Sequence, residues 1–385
     1  MKIQREALMK TAATAAIVLG LFATSALAHP KPLTDAQLSD IVAGTDFVVI
    51  DKISDTNTEG ANPPDPLLVN AWGLSEAPNA GPLWVANNGT GTTTLYNFAD
   101  LSKIPLNIVV PGPKGTQGAP TGTVFTSLTG NTFEIDRGGG RTGHALFLFD
   151  SENGTISGWA PNVALNTTFT VVNESNAGAV FKGLAIASPS ATAPILYAAD
   201  FTQNRVEMFD STFHKTGSFT DTSLPTGYAP FNVQVLDGKV YVAFALRASG
   251  IDEQDGAGLG FVDVFTTSGH KIATLVSGGN LNAPWGLTIA PASFGQFAGA
   301  LLVGNFGDGK INAYDRNTGA FLGPVTAPGG APLTIDGLWA LRNGPDGTVV
   351  FSSGPDGESH GLVGVIANSA AKASWAAQAH VMLNH

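Results

Sequence analysis

Nine ionisable side chains carry most of the chemistry available to this sparsely charged chain: Asp200, Asp252, Glu253, Asp255, Asp308, Asp336, Asp356, Glu358 and His360. All but Asp336 fall in polar stretches, DFTQNR (200–205), RASGIDEQDGAGLG (247–260), NFGDGK (305–310) and GPDGESHG (354–361). Carboxylates and amide carbonyls drawn from separate loops suit a hard divalent cation, most simply Ca²⁺. Glu358 and His360 form a candidate general acid–base pair, with Asp336 to orient the imidazole. Trp72, Trp285 and Trp339 offer flat faces for a sugar or another apolar ligand, beside Asp200, Asn232 and Asn305. The competing reading is structural. Asp, Asn and Gly are what tight turns require, and the tryptophans serve equally as packing between repeated units.

The elements that must position these residues show themselves as a repeat. NAWGL (70–74) returns as NAPWGL (282–287), each followed by a turn, a second apolar run, a polar glycine-rich loop and a third apolar run. Taking Gly73, Gly122, Gly183, Asn232, Gly286 and Gly337 as anchors gives six units at successive spacings of about 49, 61, 49, 54 and 51 residues, the size of a four-stranded propeller blade with its loops. The expected first strands are AWGLSEA, TGTVFTS, KGLAIAS, FNVQVLD, WGLTIAP and GLWALRN, and second and third strands follow in the same order each time. The fold class is therefore all-β, a six-bladed β-propeller over residues 46–368. NTFEIDRGGGRTG interrupts the second unit, and its residues 137–143 read as loop. The sixth unit lacks an outer strand. FVVIDKI (47–53), ahead of the first unit, has the alternation to supply it and so to close the ring without free edges.

In such a blade the start of the first strand and the end of the second share one face of the ring. First-strand starts (Trp72, Lys182, Asn232, Trp285, Asp336) and the loops after second strands should therefore converge at one channel mouth. The nine ionisable residues above would share that face.

Composition narrows the function. A formal charge of −11 with only 13% charged residues argues against nucleic acid, which needs a basic face. With no cysteine there are no disulfides, thiolate metal sites or cysteine nucleophiles. Residues 1–28 run from Lys2, Arg5 and Lys10 through an apolar stretch to Ala26-Leu27-Ala28, the pattern of a cleaved secretory signal peptide. Residues 29–45 then include a short capped helix (34–44), and 369–385 form a tail. No later run suits a membrane span, so a periplasmic or secreted monomer is expected. There is no HExxH, GxSxG or P-loop, and GAGLG (256–260) is not placed to be a dinucleotide fingerprint.

The phrases LLVNAWGL, FKGLAIA, FTDTSLPTGYAPFNVQ, APWGLTIAPASFG, LLVGNFGDGKINAYD, IDGLWAL and GPDGESHGLVGVI resemble an uncharacterised family of exported bacterial proteins. The resemblance covers about residues 47–367, and implies a six-bladed propeller similar in shape to NHL-repeat and TolB-like domains, with no agreed activity. Members commonly have APFGI where this chain has APFNV, which puts Asn232 at the channel. A looser similarity, to gluconolactonase and regucalcin-like propellers, implies a divalent metal at the channel mouth. Asn232 and Asp336 sit where such ligands would be, and the other ligands have no match. The leading expectation is an exported protein that binds a small molecule, polysaccharide or protein, with Ca²⁺ or another divalent cation at the mouth. The alternatives are a metal-dependent hydrolase or lactonase using Asp336, Asn232, Glu358 and His360, and a structural cell-envelope protein.

Overall fold

The computed structural model describes residues 46–57, 63–78, 81–98, 100–127, 132–188 and 193–369. The expected signal peptide, the expected helix at 34–44 and the residues from 370 onward lie outside them.

Strand runs such as LWVAN (83–87) and FLFDS (147–151) are buried at every position instead of alternating. A strand sandwiched between two neighbouring blades has no solvent face, so it reads as a continuous apolar run. Outer strands differ, since they face solvent at the rim: Lys215–Phe219 and Phe321–Pro324 are mostly exposed. These two signatures, repeated, make six antiparallel blades.

Blade 1 comprises Ala71–Glu76, Leu83–Asn87, Thr92–Tyr96 and Lys103–Val109. Blade 2 comprises Pro120–Phe125, Phe147–Ser151, Thr155–Trp159 and Phe169–Asn173. Blade 3 runs Phe181–Ala187, Ile195–Asp200, Arg205–Phe209 and Lys215–Phe219, and blade 4 runs Tyr228–Leu236, Lys239–Arg247, Phe261–Phe265 and Lys271–Ser277. Blade 5 holds Pro284–Ile289, Leu301–Asn305, Ile311–Tyr314 and Phe321–Pro324. Blade 6 holds Leu338–Asn343, Val349–Ser353 and Leu362–Asn368, and its outer strand is the N-terminal Phe47–Ser54. That last strand pairs antiparallel from Phe47 opposite Asn368 to Ser54 opposite Leu362. The ring is closed as the sequence predicted.

Inner strands touch their neighbours all the way round the axis, and every one of the six carries a bulge at the same place. The bulge explains the anchors. A Cβ on Gly73 would lie 2.5 Å from the Thr121 carbonyl oxygen, and one on Gly286 would lie 2.7 Å from that of Trp339, so the backbones meet too closely for a side chain. Blade 6 corrects the sequence register: its bulge falls at Trp339-Ala340, between Leu338 and Leu341, so the counterpart of Gly73 is Ala340 and not Gly337. Residues 137–141 are loop, as expected, and Thr142–His144 is a strand that pairs with Glu134–Asp136 in a hairpin outside the blade.

Candidate functional site at the axial mouth

Five residues within the bulges gather at the axis, Trp72, Lys182, Phe231, Trp285 and Trp339, while Thr121 bonds Asp150 and the Phe181 carbonyl between blades 2 and 3. The aromatic ones form a plug. Trp72 stacks on Trp339 with centroids 3.5 Å apart, and Trp285 meets both edge-on at 5.9 and 5.8 Å. Phe306 stacks on Trp339 at 4.1 Å. Trp72, Trp285 and Trp339 are 1%, 2% and 0% exposed, so none presents a face to a ligand. Their role is packing, and the expectation of a sugar-stacking rim is corrected accordingly. Inside the ring beyond the bulges, the cavity between Gly73, Gly122, Asn232, Trp285 and Arg342 holds about 20 Å³, room for about one water.

Lys182 is the one charged member of the plug. Its side chain is 2% exposed, and its ammonium lies 5.2 Å from the Trp72 ring centroid and 5.8 Å from those of Phe201 and Phe231. A buried ammonium needs compensating charge. Glu152 Oε1 accepts from it at 2.6 Å and Glu253 Oε2 lies 4.0 Å away. Glu358 completes the group. Its Oε2 accepts at 2.6 Å from Asn70 Nδ2, while Asn70 Oδ1 accepts from Trp339 Nε1 at 3.0 Å and so ties the mouth to the plug. Asn88 donates to Glu152 Oε2 at 2.8 Å. The indole N–H of Trp72 has no hydrogen-bond partner among the described residues.

Three glutamates thus come from the segments after the second strands of blades 2, 4 and 6, Glu253 on the short strand Glu253–Gln254 that pairs with Leu246 and Arg247. Burial pushes Glu253 up to about 7, with Lys182 opposing and Glu358 and Asp255 adding to the rise. Burial raises Glu358 as well; its bond from Asn70 opposes this, and the charge of Glu152 reinforces it. Glu358 sits at φ +66° and Asp356 at φ +54°, left-handed backbone that side-chain-bearing residues seldom adopt. This strained loop turns Glu358 to the axis.

Other candidates are placed differently. Asp200 is fully buried, and its Oδ1 accepts from the backbone N–H of Val180 and Gln203 and from Thr202, so it holds its own turn together. Asn305 is likewise buried, donating to the Asn280 carbonyl and to Asp308. Asn232 lines the axial cavity, as its channel position implied. Yet its Nδ2 donates to the Trp285 carbonyl and its Oδ1 accepts from the Val233 N–H, so the amide stitches blade 4 to blade 5 and is not available as a ligand. Asp336 and His360 leave the axis for a lateral cleft lined also by Asp356. His360 Nδ1 bonds Asp55 at 2.9 Å, so Asp55 and not Asp336 orients the ring. The residues expected to share one cation, Asn232, Asp336, Glu358 and His360, are therefore not assembled. Among the described residues no group of three or more His, Asp or Glu is arranged to hold a metal.

Sequence reasoning missed Glu152. SENGT follows the second strand FLFD as NNGTGT follows LWVA, so the repeat itself placed Glu152 among the loops of the mouth. Sequence reasoning also passed over Asn70, although that residue opens the repeated NAWGL.

Burial raises Asp150 and Asp263, like Glu253, to about 7. The folded protein then holds these protons more tightly than the unfolded chain. Their contribution to stability is complete near pH 4 and declines as pH climbs toward 7. Asp221 has the opposite sign: despite burial, bonds from Lys271 and Ser223 hold it at about 2, and its contribution is lost only in stronger acid. The melting temperature is expected to be higher at about pH 5 than at about pH 8. Thermal scans across that range check this, and a rising profile would contradict it.

Several known proteins are similar. The uncharacterised protein R648 of Acanthamoeba polyphaga mimivirus is 35% identical over 331 residues, 82% of this chain and 79% of its own length. The uncharacterised protein L690 of the same virus is 35% identical over 320 residues, covering 78% and 80%. A solved structural-genomics protein of unknown function from Bacteroides thetaiotaomicron shares the fold, with TM-score 0.50, 13% identity and coverage of 84% of this chain and 76% of that one. No family model matches the chain. Identity at this level over most of both partners means that the chain belongs to one family of propellers with R648 and L690 of the mimivirus.

Proposed function

We propose that this is an exported ligand-binding propeller whose axial mouth takes an organic cation, a small amine or a lysine- or arginine-bearing segment of a partner. The observation that carries the reading is the convergence of Glu152, Glu253 and Glu358 from alternate blades on a single lysine. One ammonium balances one carboxylate and leaves the mouth acidic, with Asp252 and Asp255 close enough to bear on Glu358 and Glu253. Lys182 already stands where a metal ion would have to sit, which favours a diffuse cation above it over Ca²⁺. Export is supported by the signal-peptide pattern of residues 1–28.

The tryptophans beneath the mouth supply a readout. Titration with putrescine, spermidine or oligolysine should change their fluorescence saturably, and added salt should weaken the effect. Glu253→Gln and Glu358→Gln should each weaken binding by about tenfold, the scale of one charged hydrogen bond. Because a bound cation expels the proton from Glu253, affinity should also rise between about pH 6 and pH 8. No response to any of the three, or identical titrations of the variants, would reject the proposal.

A further inference from the structure

The loop that delivers Glu358 to the axial mouth is held from outside the mouth. Asp356, Gly357 and Glu358 follow one another at φ +54°, +61° and +66°, a left-handed turn that is unfavourable at the two positions with side chains. Within the loop, the Glu358 N–H donates to the Gly354 carbonyl at 3.1 Å and the His360 N–H to the Pro355 carbonyl at 3.3 Å. Such backbone persists only where its surroundings over-determine it. Here they do so through Asp55, the residue that follows the closing strand Phe47–Ser54. Its side chain is 10% exposed, and each of its oxygens accepts from the loop: Oδ2 from His360 Nδ1 at 2.9 Å, and Oδ1 from the Gly361 N–H at 3.0 Å. The Asp55 N–H returns a bond to the Gly361 carbonyl at 3.3 Å, and the Asn70 N–H donates to the His360 carbonyl at 3.0 Å. With the loop so docked, the Asn70 side chain meets Glu358.

Resting on the reading of the mouth as a cation site, we infer that Asp55 and His360 form a latch, a pair of positioning residues that lie outside the mouth and hold Glu358 at the axis. Because Asp55 reaches the loop from the end of the closing strand, the mouth receives its third carboxylate only when that strand has closed the ring. Released from Asp55, the left-handed turn would relax, and Glu358 would leave Asn70 for solvent.

Trp339 reports on the latch without any ligand, since its indole N–H donates to Asn70 Oδ1 and Asn70 in turn donates to Glu358. In ¹H–¹⁵N spectra of the full chain, His360→Ala and Asp55→Ala should move the Trp339 indole resonance in the same direction as Glu358→Ala. His360→Asn, whose amide puts a donor close to the place of Nδ1, should leave the resonance near its wild-type position. Spermidine titrations supply a second readout. His360→Ala should weaken binding by up to about tenfold and add little to the loss caused by Glu358→Ala, because both remove the same contact. The His360 side chain is 40% exposed, so its variants leave the core intact and decide the matter should Asp55→Ala fold poorly. The latch is overturned if the resonance stays in place in His360→Ala, if His360→Asn shifts it as far as His360→Ala, or if the double variant loses the product of the two single losses. Shared shifts with no spermidine bound by any form would instead reject the cation mouth and leave the latch standing.

Discussion

A chain lacking residues 46–54 is expected to lose cooperative unfolding altogether. The strand Phe47–Ser54 covers Leu362–Asn368, every residue of which is buried in the intact ring. Without it that strand becomes an apolar edge with unpaired N–H and C=O groups, which invites association between chains. Side chains add to the backbone term. Phe47 is 0% exposed and packs its ring 4.4 Å from Phe294 and 5.9 Å from Phe297, filling the seam between blades 5 and 6, while Ile53 fills the one between blades 6 and 1. Phe47→Ala alone should cost about 3–5 kcal/mol, the usual loss for a large aromatic removed from a packed core. Circular dichroism melts with size-exclusion chromatography check both. A truncated chain that stays monomeric with an unchanged transition would show that the ring does not depend on its closing strand.

Lys182→Met is expected to destabilise the protein by about 3–5 kcal/mol at about pH 8, and by much less at about pH 5. Methionine keeps most of the apolar stem that packs in the plug, so what is removed is mainly the charge. Glu152, 16% exposed, then loses its partner at 2.6 Å and Glu253, 8% exposed, its neighbour at 4.0 Å. The two carboxylates and Glu358 repel one another with no cation between them. Lowering the pH relieves this by protonating Glu253 and Glu358, whose affinities for a proton are already raised by burial. Denaturant titrations at the two pH values separate the causes. An equal loss at both would assign the effect to packing and remove the electrostatic account of the mouth.

Residues with local causes were legible in the sequence. The anchors repeat because adjacent inner strands touch, and close approach demands glycine at Gly73 and Gly286 whatever the rest of the blade contains. The closing strand was legible because a blade short of one strand leaves an edge, and FVVIDKI alone had the pattern to cover it. Blade 6 was misregistered by three residues because Ala340 occupies the glycine place while Gly337 stands nearby for another reason, a turn at φ +61°. Shared polarity also misled. Asp200, Asn232 and Asn305 look like ligands in a one-dimensional reading, yet all are 0% exposed and bonded within the scaffold. The partner of His360 could not be read at all. Asp55 lies 305 positions away and meets His360 only because the closing strand brings it there. Of the nine ionisable residues expected on one face, Glu253 and Glu358 face Lys182 at the axis, whereas Asp336, Asp356 and His360 line a separate cleft, because one loop turns Glu358 inward and His360 outward.

Closure by the first strand has a consequence for how the polypeptide can be cut and rejoined. Ser369 N–H donates to the Asp46 carbonyl at 2.9 Å, so the two ends of the propeller lie side by side at the rim of blade 6. Ends so close can be bridged by a few residues, and new termini opened in an exposed rim turn would yield a circular permutant with the same ring.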